Sequence, residues 1–218
     1  MRCYLIRHGM TEGNVKRCFN GCRTDEPLTA EGRDALRAIE GLPEGAVLFS
    51  SPMKRALETA AIMFPGIEPV IIDDLKEMDF GIFEGKNHSM LDGDPDYQAW
   101  LDSGGLMRVP GGESIADVVD RSGKALARAV SEARERDADT ICIVAHGGLF
   151  MALMSVLTGE DALKFNPPNG AGFIVELETD DAGNVTAATS YDRFLGGLRD
   201  GSSGWRSPEY TPPGSLDR

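Results

Sequence analysis

The strongest constraint on the fold is a repeated pattern, a short apolar run that ends in His-Gly. Residues 2–7 (RCYLIR) lead into His8-Gly9, and residues 140–145 (TICIVA) lead into His146-Gly147. Runs of this length, bounded by turn residues, suit buried strands. Ala46 to Ser50 and the shorter Val70 to Ile72 have the same character. Segments with helical spacing lie between them. Thr29 is placed to cap a helix over about 30–40, ended by Gly41 and Pro43. Pro52 suits the first turn of a helix that runs to Phe64 and stops at Pro65-Gly66. Glu113 to Arg136 reads as a long amphipathic helix, and Leu149 to Leu157 as a further one. Phe173 to Leu177 and Val185 to Ser190 read as strands joined by a turn through Asp181, Ala182 and Gly183, while residues 8–28 read as a long loop.

Strands alternating with helices predict an α/β domain with a mostly parallel sheet. The expected organisation is one domain over 1–195, with a lid or insert at 79–112 anchored by Tyr97, Trp100 and Leu101, followed by a Gly-, Ser- and Pro-rich tail over 196–218. In such sheets ligands bind beyond the carboxyl ends of the strands. His8 and His146 each follow such an end, so both should project toward the same edge.

The formal net charge of −13 and pI near 4.6 argue against a nucleic-acid partner, which needs a basic face. A local arginine cluster in a cleft can still hold a small anion. No apolar run approaches the roughly 20 residues of a membrane span. The N-terminus has no signal-peptide layout, so a cytoplasmic protein is expected. Of the four cysteines, Cys3 and Cys142 fall in predicted core strands. Cys18 and Cys22 lack the spacing of common zinc or redox motifs, and no second pair completes a tetrahedral set. Neither a metal nor a disulfide is expected. The sequence carries no signal for an oligomeric state.

Four segments could carry chemistry. In LIRHGMTEGN, His8 sits beside Arg7, with Gly9, Thr11 and Asn14 in the same loop. A neutral imidazole is a nucleophile near neutral pH, and a guanidinium is a planar fork of donors for a phosphoryl group. A satisfied strand-end histidine is the bland alternative, and the joint pattern favours function. In SSPMKRALETA, Arg55 falls in the first turns of a helix, where anions are favoured; alone it is equally a surface arginine, as Lys54 is expected to be. In VAHGG, His146 could donate a hydrogen bond to a phosphoryl oxygen, with Gly147 and Gly148 allowing close backbone approach. In LKEMDFGIFEG, Glu77, Asp79 and Glu84 are each candidates for the acid that protonates a departing alcohol, and spacing does not choose among them.

These segments, in this order, resemble the histidine phosphatase superfamily, also called phosphoglycerate-mutase-like, from Arg2 to about Tyr191. The resemblance extends to GCRTDEPLTAEGRDAL, to PGGES at Pro110 to Ser114, and to the NPPNG turn. It implies a three-layer α/β/α sandwich and a metal- and cofactor-free phosphomonoesterase acting on a small phosphorylated metabolite. By position it makes His8 the phosphorylated nucleophile and Glu77 the proton donor, with Arg7, Arg55 and His146 completing the phosphate pocket. Asn14 would support that pocket, and Asn20 and Gly21 match a loop that contacts substrate. Met10 stands where many members carry Glu or Gln, and Phe80 where the mutase branch has tyrosine. The insert from Lys86 to Val109 has only Lys86 and Arg108 as cations. The chemistry does not require the Met10 side chain; Phe80 and the short insert favour a phosphatase over a bisphosphoglycerate-dependent mutase, and PGGES with the compact insert is similar to α-ribazole phosphatases and to broad-specificity members. A non-catalytic phosphate-binding module is the reading from another class.

Overall fold

The computed structural model describes residues 1–180 and 184–194. The expected turn through Asp181, Ala182 and Gly183 and the expected tail over 196–218 lie outside the described residues. In chain order the elements are β1 (Arg2–Arg7), α1 (Glu12–Val15), α2 (Ala30–Arg37), β2 (Val47–Ser50), α3 (Lys54–Met63), β3 (Val70–Ile71), α4 (His88–Leu91), α5 (Pro95–Asp102), α6 (Ile115–Arg134), β4 (Thr140–Ala145), α7 (Gly147–Thr158), β5 (Gly172–Thr179) and β6 (Val185–Phe194).

The strands form one sheet in the order β3-β2-β4-β1-β5-β6. The first four run parallel, whereas β5 and β6 are antiparallel additions at one side. Strand side chains alternate between faces, and the apolar residues follow that period. Cys3, Leu5, Phe49, Ile141 and Ile143 join one apolar cluster with Val118, Leu126 and Val130 of α6 and Leu149, Phe150 and Leu153 of α7. Ile6, Leu48, Cys142 and Val144 join a second with Leu36 of α2 and Ala56 and Ala60 of α3. Helices therefore cover both faces, which explains why β1 and β4 are apolar on consecutive residues. The architecture is the expected mostly parallel α/β sandwich of the phosphoglycerate-mutase-like kind.

The register places Arg7 opposite Ala145, and the His8 amide donates to the Ala145 carbonyl at 2.9 Å. Two central parallel strands thus end side by side, and the histidine after each emerges at the same edge.

Several local readings change. The helix after β2 starts at Lys54, so Pro52 precedes its Met53 cap instead of lying in its first turn. The expected loop at 8–28 contains α1, capped by Thr11; the Thr11 side chain accepts the Asn14 N–H, and the Asn14 side chain accepts the Thr11 N–H. Four residues are too few for a helical period to show, and asparagine replaces the usual Glu or Gln of a capping box. The last strand runs on to Phe194, past the expected Ser190. It is an edge strand with a largely polar exposed side, so the apolar signal fades before the hydrogen bonding does. The helix after His146 begins at Gly147 rather than Leu149, so the two glycines form its first turn instead of a preceding turn.

Residues 79–112 contain a short 3₁₀ turn at Gly81–Phe83 followed by α4 and α5. Tyr97 is buried, and the Trp100 ring meets Phe19 and Phe83 at centroid distances of 5.7 and 5.9 Å. This segment is thereby fastened to the loop that follows β1. All four cysteines are free. Among the described residues no helix is long and apolar enough to cross a membrane.

Candidate active site

The His8 and His146 rings lie 5.2 Å apart at the sheet edge, both buried. His8 Nδ1 lies 2.7 Å from the Gly9 carbonyl. A carbonyl only accepts, so Nδ1 carries the proton and Nε2 keeps its lone pair. Burial holds the His8 imidazole well below its ordinary range, and the Arg55 and Arg7 charges push it the same way. His8 is therefore neutral near pH 7, with the free nitrogen of a nucleophile. Its backbone is fixed from several sides: Gly9 N–H donates to Thr59 Oγ1 at 2.9 Å, and Asn169 Nδ2 donates to the His8 and Gly9 carbonyls at 3.0 and 3.2 Å.

Arg7 reaches the cavity from the last position of β1. One terminal nitrogen donates to Asn166 Oδ1 at 3.1 Å and to the Pro167 carbonyl at 2.6 Å. Among the described residues its Nε is buried without a partner. A buried guanidinium N–H left unmade is costly, and it is the group an entering oxyanion would satisfy.

Arg55, in the first turn of α3, is fully buried. It donates to the carbonyls of Thr24, Asn20 and Gly21 at 2.7, 3.3 and 3.1 Å, and through Nε to His146 Nδ1 at 3.3 Å. An arginine is never an acceptor, so His146 Nδ1 is unprotonated and Nε2–H donates to Ser51 Oγ at 2.8 Å. His146 is also held well below its ordinary range, first by burial and then by the Arg55, His8 and Arg7 charges. Both of its ring nitrogens are engaged inside the protein, and Arg55 braces the 20–24 loop against it. Lys54, by contrast, lies on the surface beside Asp25.

Glu77 is buried, and its carboxylate accepts three backbone N–H groups: Met78 at 2.8 Å, Gly148 at 3.0 Å and Leu149 at 3.0 Å. Two of these open α7, whose N-terminus suits an anion. The same geometry explains the two glycines. A Cβ on Gly147 would lie 3.1 Å from Arg7 Cζ, and one on Gly148 would lie 2.7 Å from Glu77 Oε1. The start of α7 is thus the seat on which Arg7 and Glu77 rest. The other two acids left open by spacing have different tasks. Asp79 pairs with Arg23 at 2.8 Å, and Glu84 accepts from Gly21 N and Thr24 Oγ1.

These groups border a cavity of about 660 Å³. Arg7, His8, Asn14, Asn20, Glu77 and Gly147 line it. Asn14 Oδ1 accepts from Thr11 and from Asn169 Nδ2, so its position is set. Asn20 is tied to Glu26 Oε2 at 2.8 Å. Arg55 and His146 stand behind the wall rather than on it. Gly21 does not line the cavity either: it is buried, and a Cβ there would run into the Met78 carbonyl and the Glu84 carboxylate. Its place in the sequence reflects packing of that loop.

Sequence reasoning missed the residues that hold the site in register. Asn166, Pro167 and Asn169 lie in the NPPNG turn, whose sequence marks a turn but no task. Two prolines in succession leave carbonyls but no N–H groups, and one of those carbonyls anchors Arg7. Ser51 and Thr59 gave no signal. Among the described residues, one group of possible metal-ligating atoms comes together, Cys22 with Asp79 and Glu84. It lies apart from His8, and both its carboxylates already have protein partners.

A neutral imidazole with a free nitrogen, a buried arginine and a carboxyl group on a helix N-terminus thus come together at one edge of an α/β sheet. The histidine phosphatase superfamily (branch 1) model matches residues 3–189, and the chain belongs to that family. It is 31% identical over 169 residues to the adenosylcobalamin/alpha-ribazole phosphatase of Escherichia coli K12, covering 74% of this chain and 81% of that protein. The crystal structure of the alpha-ribazole phosphatase from Shigella flexneri superposes with a TM-score of 0.69 at 26% identity, covering 87% of this chain and 96% of the other. That of phosphoglycerate mutase from Thermus thermophilus gives 0.63 at 30% identity, covering 88% and 100%.

Proposed function

We propose that the protein is a phosphomonoesterase that hydrolyses a small phosphorylated metabolite through a phosphohistidine on His8, without a metal or organic cofactor. The observation that carries this reading is the His8 tautomer: the Gly9 carbonyl claims Nδ1–H, leaving Nε2 free beside Arg7, whose Nε has no partner among the described residues. In the first step Nε2 attacks phosphorus, the bond to the ester oxygen breaks, and Glu77 in its acid form protonates the departing alcohol. In the second, water attacks phosphorus, the N–P bond breaks, and the Glu77 carboxylate takes the water's proton. Arg7 offsets charge on the phosphoryl oxygens, and Asn14 offers its amide N–H₂ to the same group. Arg55 and His146 keep His8 neutral and the 20–24 loop in place.

A mutase primed by a bisphosphoglycerate would use the same pocket but would have to hold a second anionic group. Arg7 is the only full cation among the described residues that line the cavity, which favours hydrolysis. The test is p-nitrophenyl phosphate hydrolysis in the presence of a chelator, for wild type and His8→Ala. Turnover that vanishes in the variant supports the enzyme; equal inactivity of both leaves a binding module. Phosphoglycerate interconversion that exceeds hydrolysis and requires primer would favour the mutase.

A further inference from the structure

The cavity wall divides sharply by chemistry. Away from the phosphate-binding groups it is mainly apolar, built from Phe19, Phe80, Trp100, Leu106, Ile115 and Met151, with Ser155, Asp161 and the buried Trp100 Nε1–H, unpartnered among the described residues, as its polar members. Four elements supply the apolar side chains: the loop after β1, the 79–112 segment, α6 and α7. The aromatic residues are mutually braced, with Phe19 centroids 5.1 Å from Phe80 and 5.7 Å from Trp100. The charged side chains on the wall are Arg7 and two acids, Glu77 and Asp161. Three nearby cations are directed elsewhere. Arg108 pairs with Asp117 at 2.7 Å and donates to the Gly112 carbonyl, and Arg23 pairs with Asp79. Lys164 pairs with Glu160 at 2.9 Å. Neither Arg108, Arg23 nor Lys164 lines the cavity.

We infer that the preferred substrates are phosphate monoesters of an uncharged, largely apolar or aromatic alcohol, and that esters bearing a second anionic group are rejected. This rests on the phosphatase reading and narrows it. With the phosphoryl group on Arg7 and His8, the rest of the molecule meets hydrocarbon and rings. Each methylene moved from water onto such a wall raises affinity by up to about fourfold. A carboxylate in the same place would lose its hydration, meet no second cation among the described residues of the wall, and face Asp161 and Glu77. Selectivity therefore comes from repulsion as well as from fit.

Two measurements on the full chain test this separately from the chemistry. Titration calorimetry with ethyl-, butyl- and hexylphosphonate, which cannot be hydrolysed, reads binding alone. Affinity should rise by up to about fourfold per methylene, with increasingly negative heat-capacity change. 5-Carboxypentylphosphonate should bind at least about tenfold more weakly than hexylphosphonate, and Met151→Arg should narrow or reverse that gap. Affinity independent of chain length, or tighter binding of the carboxylated probe by wild type, overturns the inference. p-Nitrophenyl phosphate hydrolysis is read in parallel. A protein that hydrolyses it but shows a flat series keeps the phosphatase reading and loses this one. A rising series without hydrolysis keeps the apolar site and loses the enzyme.

Discussion

Substituting Gly148→Ala tests whether Glu77 is the proton donor without touching Glu77 itself. A Cβ at position 148 would sit 2.7 Å from Oε1 and 3.3 Å from Cδ. The carboxyl group must retreat by about 0.7 Å to regain ordinary contact. That strains its bonds from Gly148 and Leu149, each 3.0 Å now. Two terms oppose each other in stability. Alanine gains about 1 kcal/mol over glycine in a helix, while weakening two hydrogen bonds to a charged group costs on the order of 2–3 kcal/mol. A net loss of about 1–2 kcal/mol leaves the protein folded. The effect on rate is larger, since a misplacement near 1 Å costs up to about 100-fold and a general acid contributes at least that much. On butyl phosphate, whose alkoxide needs a proton to depart, kcat/KM should fall about 30- to 100-fold. On p-nitrophenyl phosphate, whose phenolate departs unaided, it should fall less than about fivefold. Gly147→Ala is the internal control, because its Cβ would press on Arg7 rather than Glu77. Arg7 acts on the phosphoryl group common to both substrates, so both rates should fall together. Equal losses on the two substrates in Gly148→Ala, with circular dichroism unchanged, would refute the assignment of Glu77.

The two arginines should separate by what they hold. Arg7→Lys removes the donor left for an anion but disturbs only Asn166 and Pro167, so kcat/KM should drop about 100-fold with little change in Tm. Arg55→Met strips partners from three carbonyls and from His146, so urea unfolding should show a loss of about 3 kcal/mol or more alongside the loss of activity. Stability should also depend on pH through His8 and His146. Both are held well below 6.5 in the folded protein, so the unfolded chain takes up their protons first as pH falls. Their contribution is complete above about pH 6.5 and is lost as pH drops toward their folded values, at up to about 2.7 kcal/mol per pH unit for two protons. Urea unfolding between about pH 7.5 and pH 5 reads that slope, and His8→Gln should remove about half of it.

The fold was legible where the chemistry is local and periodic. Apolar runs of five or six residues located β1, β2 and β4, and Thr29 marked a helix start through a side-chain oxygen that accepts the N–H three residues on. The meeting of His8 with His146 was legible because parallel neighbours end at one edge. The tautomers were not, since they depend on the Gly9 carbonyl, on Arg55 and on Ser51, which only the fold brings to the two rings. For the same reason the partners that Arg55 and His146 find inside the protein, Thr24, Asn20, Gly21 and Ser51, were not legible. Gly147 and Gly148 looked like a turn. Only the positions of Arg7 and Glu77 show why a helix should begin with two glycines, which are poor helix formers.

The central claim is that His8 Nε2 takes the phosphoryl group. Mixing the enzyme with ³²P-labelled phosphomonoester, quenching rapidly in base and mapping the label tests it directly. The expected result is label on His8, stable in base, lost in acid, and absent from His8→Ala. Turnover without any label, or label on another residue, would contradict it.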